Sequence, residues 1–190
     1  MTTIGHNGGP SMEHGHGFRR LAWGKARRAL LPTLPLQIVR LRVARAKALG
    51  LDYATYATVR ATTGRDITAF LFSSNALRMM RPSEAPPEDR RARVAASAAN
   101  RLLAAHGPLV PAAGEALERA GIPFDGIGAA PSLHDTDREV RERIGHIVAA
   151  RHRLEVLVIG ETALERSWCA SARLGGWISA DRWMQPVIAP

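Results

Sequence analysis

Cysteine is nearly missing from this chain of 190 residues, in which Cys169 stands alone. One thiol forms no internal disulfide and cannot build a zinc site of four cysteines, so the fold must rest on its core. Long apolar runs are also missing. The longest, 67–72 and 156–159, are the size of strands and far short of the roughly 20 residues that span a bilayer. Residues 1–17 are polar and glycine-rich, without the apolar stretch of a secretory signal, and the expectation is a cytoplasmic protein with no membrane partner. Aromatics make up only 5% of the chain, and Trp23, Trp168, Trp177 and Trp183 are too scattered to form a stacking platform. No phosphate-binding loop of the Walker type and no GxGxxG is found. The pair Gly126 and Gly128 lacks a following helix and reads as a turn, and no cofactor is expected.

What remains is an ordinary globular composition, 46% hydrophobic and 23% charged, with an uneven distribution of charge. Residues 1–81 hold 13 Arg and Lys against three acids, a net of +10, while residues 82–190 hold 13 against 14. The formal excess of +9 therefore belongs to the first part of the chain, as expected if that part meets nucleic acid or an acidic protein. Only two of the 26 basic residues are lysine. A GC-rich bacterial genome produces such arginine enrichment by itself, so position carries the argument and residue type does not.

Glycines and a proline leave residues 1–17 with little to bury, which predicts a disordered arm. A basic helical region over 18–65 and an α/β domain over 66–190 are expected to follow. In the first, helices are expected over 18–31, 35–49 and 52–62, with Leu36, Val39, Val43 and Ala46 as the apolar stripe of the second. In the second, strands are expected over 67–72, 101–105, 154–159 and 177–180. Ser73, Ser74 and Asn75 offer caps to a short helix before Pro82, and further helices are expected over 87–100, 111–120, 136–151 and 162–174. Thr136 with Glu139 has the spacing of a capping box, and Gly175 with Gly176 should stop the last helix. Alternation of strand and helix implies a small, mostly parallel sheet flanked by helices.

Two segments carry resemblances. Ala46, Gly50, Leu51 and Val59 have the small, turn and apolar residues of two tightly joined helices, and 46–60 resembles the helix-turn-helix of bacterial DNA-binding proteins, although Tyr56 stands where an aliphatic residue is commoner. The resemblance implies a groove-facing second helix. The residues expected to meet nucleic acid are Arg40, Arg42, Arg45, Lys47, Arg60 and Arg65 for phosphates, with Thr55 and Thr58 short enough to reach a groove. The segment 156–181 has a strand, Gly160, then Glu161 and Glu165, and resembles the fourth motif of haloacid-dehalogenase-like hydrolases. That resemblance implies acids that bind magnesium. It also requires an aspartate nucleophile after the first strand, where this chain has Ser73, Ser74 and Asn75. Without it, Glu161 and Glu165 read as acids stabilising a helix N-terminus.

The histidines give less. His6, His14 and His16 with Glu13 have donors for a metal, but on a glycine-rich arm. His146 and His152 do not share a helix face, and His106 and His134 read as loop residues without partners. Residues 4–10, IGHNGGP, resemble a short leader of alphaproteobacterial and phage-type proteins. Taken together, the chain reads as a non-catalytic protein that binds nucleic acid or a regulatory partner through its basic helices. The alternatives are a degenerate hydrolase or small-ligand-binding domain with its site at the strand ends, and a protein-protein adaptor.

Overall fold

The computed structural model describes residues 34–185. The arm over 1–17 with its histidines, and the helix expected over 18–31, lie outside the described residues. The chain divides into two units, 1–39 and 40–190. Of the first, the described part is the approach to α1 (Leu36–Ala48) and its first turn, in which the N–H groups of Ile38 and Val39 both donate to Pro35 O.

The second unit is an α/β fold. Its five strands are β1 (Ala69–Ser73), β2 (Asn100–Ala105), β3 (Gly126–Ala129), β4 (Val156–Gly160) and β5 (Gly176–Ser179). They pair in the order β3-β2-β1-β4-β5, every pair parallel. Helix α2 (Tyr53–Thr63) precedes the sheet, α3 (Glu88–Ala96), α4 (Val110–Arg119), α5 (Asp137–Val148) and α6 (Ala163–Ser171) run between the strands, and α7 (Ala180–Met184) follows β5. The expectation of a small sheet flanked by helices holds, with the sheet entirely parallel.

Strand β1 shows why the sheet needs cover on both sides, since all five of its residues are buried. Phe70 and Phe72 face one core with Leu49, Tyr56, Val94, Leu117 and Trp183, and Ala69 and Leu71 face the other with Val140, Ile144 and Trp168. The first core is thus covered by α1, α2, α3, α4 and α7, and the second by α5 and α6. This division follows from handedness: crossovers leading from β1 toward β3 and those leading back toward β5 must lie on opposite faces if all are right-handed. Phe70, Phe72, Phe124 and Trp183 meet edge to face in the first core, with centroids 5.2 to 6.0 Å apart.

Several expectations need correction. Gly126 and Gly128 are not a turn but part of β3, and their missing side chains let α5 lie on that edge strand, because a Cβ at Gly128 would come within 2.7 Å of Ile147 Cγ1. Ser73 to Asn75 cap no helix. The chain there makes a single turn, closed by Leu77 N to Ser73 O and Met79 N to Ser74 O, with Arg78 left-handed at φ 53°. The helix after Pro87 stops at Ala96, and α7 is an unforeseen short helix capped by Ser179. Of the stripe on α1, Ala46 alone is buried, while Leu36 and Val43 are exposed. The stop after α6 is Arg173 at φ 55°, and the two glycines beyond it serve packing: a Cβ on Gly175 would lie 2.3 Å from Leu154 O.

Candidate functional site

In an open parallel sheet, ligands gather at the carboxyl ends of strands where the strand order reverses, since loops diverge there and leave a crevice. Here that place lies between β1 and β4. The chain leaves β1 through Ser74 and Asn75, β2 through His106, β4 through Glu161 and β5 through Asp181, and these ends are joined by polar contacts.

Glu165 is their centre and is fully buried. It occupies the N3 position of α6 in a capping box with Thr162, whose side chain accepts from Glu165 N. Its Oε2 accepts from the N–H groups of Glu161 and Thr162, and its Oε1 accepts from Asn75 Nδ2 at 2.9 Å. His106 Nε2 stands 3.9 Å from the same Oε1. On its other side, His106 Nδ1 is hydrogen-bonded to Ser74 Oγ at 2.8 Å, and His106 N donates to that hydroxyl at 3.2 Å. His106 is therefore the partnered residue that its loop position concealed.

Serine, histidine and glutamate in one chain of contacts invite comparison with a nucleophilic triad. The comparison fails on access and on occupancy. Ser74 is fully buried, and the carboxylate that would orient the histidine already accepts two backbone N–H groups and an amide. These contacts tie three strand ends together without presenting a nucleophile.

Beside them Arg90, only 3% exposed, reaches from α3 under the crevice. It donates to Ala76 O through one terminal nitrogen, and Glu161 and Asp181 approach its two terminal nitrogens at 3.9 Å each. Its Nε has no partner among the described residues. Glu161 is thus an arginine's counter-ion and Glu165 a helix cap. No group of three His, Cys, Asp or Glu able to hold a metal is found among the described residues.

The residues expected to meet nucleic acid divide into two sets. Arg45 donates to Asp66 Oδ2 at 3.1 Å and to Ile67 O at 2.8 Å, Arg60 lies 3.7 Å from Asp66 Oδ1, and Arg65 pairs with Glu155 at 3.0 Å. Thr55 Oγ1 donates to Asp52, the N-cap of α2, and accepts from Arg182 at 2.7 Å, and Thr58 Oγ1 donates to Ala54 O at 2.8 Å. Arg40 and Lys47 are exposed and Arg42 is half-buried, and these three make no ion pair among the described residues.

Backbone hydrogen bonds close the joint between α1 and α2. Leu51 N donates to Ala46 O and Gly50 N to Lys47 O, with Gly50 left-handed at φ 70°, which closes α1 and frees the chain to turn. Leu49, Leu51 and Tyr56 then enter the core against the sheet, so α2 is anchored to the α/β unit. Burial and the bond to Asp66 push the Tyr56 hydroxyl above its ordinary range. Comparisons with models of protein families, with curated proteins and with solved structures found no match for this chain.

Proposed function

We propose that this protein binds nucleic acid through α1 and carries out no chemistry of its own. The observation that supports this reading is the composition and exposure of α1, which holds four basic residues and no acid, three of them without an ion-pair partner among the described residues. Such residues contribute affinity by releasing condensed counterions from phosphates, largely without reading sequence. Arg45 takes a different part: its bonds to Asp66 and Ile67 O tie α1 to the start of β1 and hold the basic helix in place.

A hydrolase of the haloacid-dehalogenase-like kind is less well supported. Its strand-to-helix turn at Gly160 is here, but β1 ends in buried serines and the acids that would bind magnesium are engaged elsewhere.

The test is a titration of mixed-sequence duplex DNA, followed by fluorescence anisotropy across about 50 to 200 mM salt. Replacing Arg40, Arg42 and Lys47 with Ala is expected to weaken binding and to lower the slope of log K against log salt by about 0.9 for each phosphate that is no longer neutralised. An unchanged slope would overturn the proposal, and retention on an acidic protein but not on DNA would favour an adaptor.

A further inference from the structure

At the opposite end of the sheet, where β4 and β5 begin, two neighbouring open cavities of about 520 and 400 Å3 share Arg153 and Arg173. Arg151, His152 and Leu154 help to line the first and Arg141 lines the second. Four arginines from α5, from the connection into β4 and from the end of α6 are therefore brought together. None has a carboxylate partner among the described residues. Glu155, close in sequence, is taken by Arg65, and Asp137 accepts from Ser171 Oγ.

Two of the four have structural work. Arg153 donates to Ala172 O at 3.1 Å and reaches Arg141 O at 3.4 Å, and Arg141 Nε donates to Ser171 O at 3.1 Å. These bonds satisfy carbonyls of α5 and at the end of α6. Gly145 makes room for them, since a Cβ there would sit 2.8 Å from the Arg153 guanidinium. Helix capping does not account for Arg151 and Arg173, whose side chains make no hydrogen bond among the described residues.

Arg173 also stands where glycine is the usual choice. Leu174 N donates to Cys169 O and Arg173 N to Ala170 O, the same closure that ends α1 and α4. In those helices the left-handed residue is Gly50 at φ 70° and Gly121 at φ 74°, and here it is an arginine at φ 55°. Arg78 holds the same left-handed position in the turn after β1, so the backbone alone marks no site; Arg173 differs in lining both cavities.

We propose that this arginine-lined hollow binds the diphosphate group of a small phosphorylated ligand. Guanidinium forks match phosphate oxygens in pairs, and gathered positive charges without acids are stabilised by a multiply charged anion. Two cavities that share Arg153 and Arg173 leave room for more than one phosphoryl group. A concave site suits a compact ligand better than the backbone of a duplex, so the proposal is independent of the role given to α1.

The test is calorimetric titration of the full chain with inorganic diphosphate and, separately, with ADP, with adenosine as the uncharged control. The wild type is expected to bind both phosphorylated probes and not adenosine. Arg173→Gly should lose at least tenfold in affinity while its melting temperature stays equal or rises, because glycine relieves the left-handed backbone. Arg151→Ala should lose affinity likewise, and the triple replacement of Arg40, Arg42 and Lys47 should keep it. Equal affinity for the two probes would identify free diphosphate as the ligand chemistry, and tighter binding of ADP a nucleotide. Absence of heat with both probes, or full binding by both single variants, would overturn the proposal.

Discussion

The Asn75 amide donates to Oε1 of Glu165 at 2.9 Å, joining residues 90 apart in sequence across the ends of β1 and β4. At this position many parallel-sheet proteins keep a ligand crevice. Here an amide, a buried carboxylate and two backbone N–H groups satisfy one another, and the polar atoms that would face a ligand face each other.

Removing that carboxylate is therefore a stability experiment. Glu165→Ala leaves Glu161 N, Thr162 N and Asn75 Nδ2 without their acceptor, and buried groups left unpaired cost about 1–3 kcal/mol. Urea denaturation should show that loss, and added magnesium should change neither protein. A magnesium-dependent rise in wild-type stability that disappears in the variant would restore the metal reading.

Glycine replacements separate packing from propensity. A Cβ at Gly160 would lie 2.8 Å from Trp177 Nε1 and 3.0 Å from Glu165, so Gly160→Ala should overpack the turn and cost about 1–3 kcal/mol. In α4 the nearest atom to a Cβ on Gly114 is Ile127 Cδ1 at 3.6 Å, an ordinary contact. Gly114→Ala should thus stabilise the fold by about 0.4–1 kcal/mol through the helix interior and the unfolded chain. Equal melting temperatures for the two variants would contradict the packing account.

Much of the fold is legible in the sequence, and the misreadings have physical causes. Buried β1 and β4 announce themselves as short apolar runs, and the capping box at Thr136 and Glu139 forms as its spacing implies. β3 is concealed because its strand is Gly-Ile-Gly-Ala, where the pattern of side chains gives way to the needs of a helix packed against bare backbone. The sites are less legible. Glu165 is visible as a helix N-terminus acid, but its approach to His106 shows no pattern in one dimension, since a parallel sheet places them side by side only after the crossovers are made. Arg141, Arg151, Arg153 and Arg173 are hidden in a stretch whose net charge is near zero, because its acids fold away from them.

Asp66 restrains the basic face. It accepts from Arg45 Nε at 3.1 Å and Tyr56 Oη at 2.7 Å, and Arg60 lies 3.7 Å away. Asp66→Asn should free charge for phosphates, raising DNA affinity and steepening its salt dependence, by about 0.9 for each further phosphate neutralised. Because both arginines are partly exposed, the stability lost should come mainly from the hydrogen bonds, about 0.5–1.5 kcal/mol each. Weaker DNA binding with an intact fold would mean that Asp66 orients these arginines for the duplex.

Asp52 gives the fold an acid-sensitive joint between α2 and α7. Its carboxylate accepts from Thr55 N at 2.8 Å and Thr55 Oγ1 at 2.6 Å, and Arg182 stands 3.5 Å away. Burial acts to raise its pKa, but the Thr55 bonds and the Arg182 charge outweigh this and hold the group below the ordinary aspartate value of 3.8. A carboxyl that is more acidic folded than unfolded stabilises the fold fully above that ordinary value, and the contribution fades as pH falls through the folded value. At neutral pH, Asp52→Ala should cost about 0.5–2 kcal/mol, as for other lost N-caps, and Asp52→Asn much less because Asn also caps well. The carboxylate is half exposed, so the ion pair with Arg182 adds little to that figure. Urea titrations of wild type and Asp52→Ala at about pH 7 and about pH 2.5 should show the difference narrowing in acid. A difference of the same size at both values would mean that the charge on Asp52 contributes nothing and that the cap acts through shape alone.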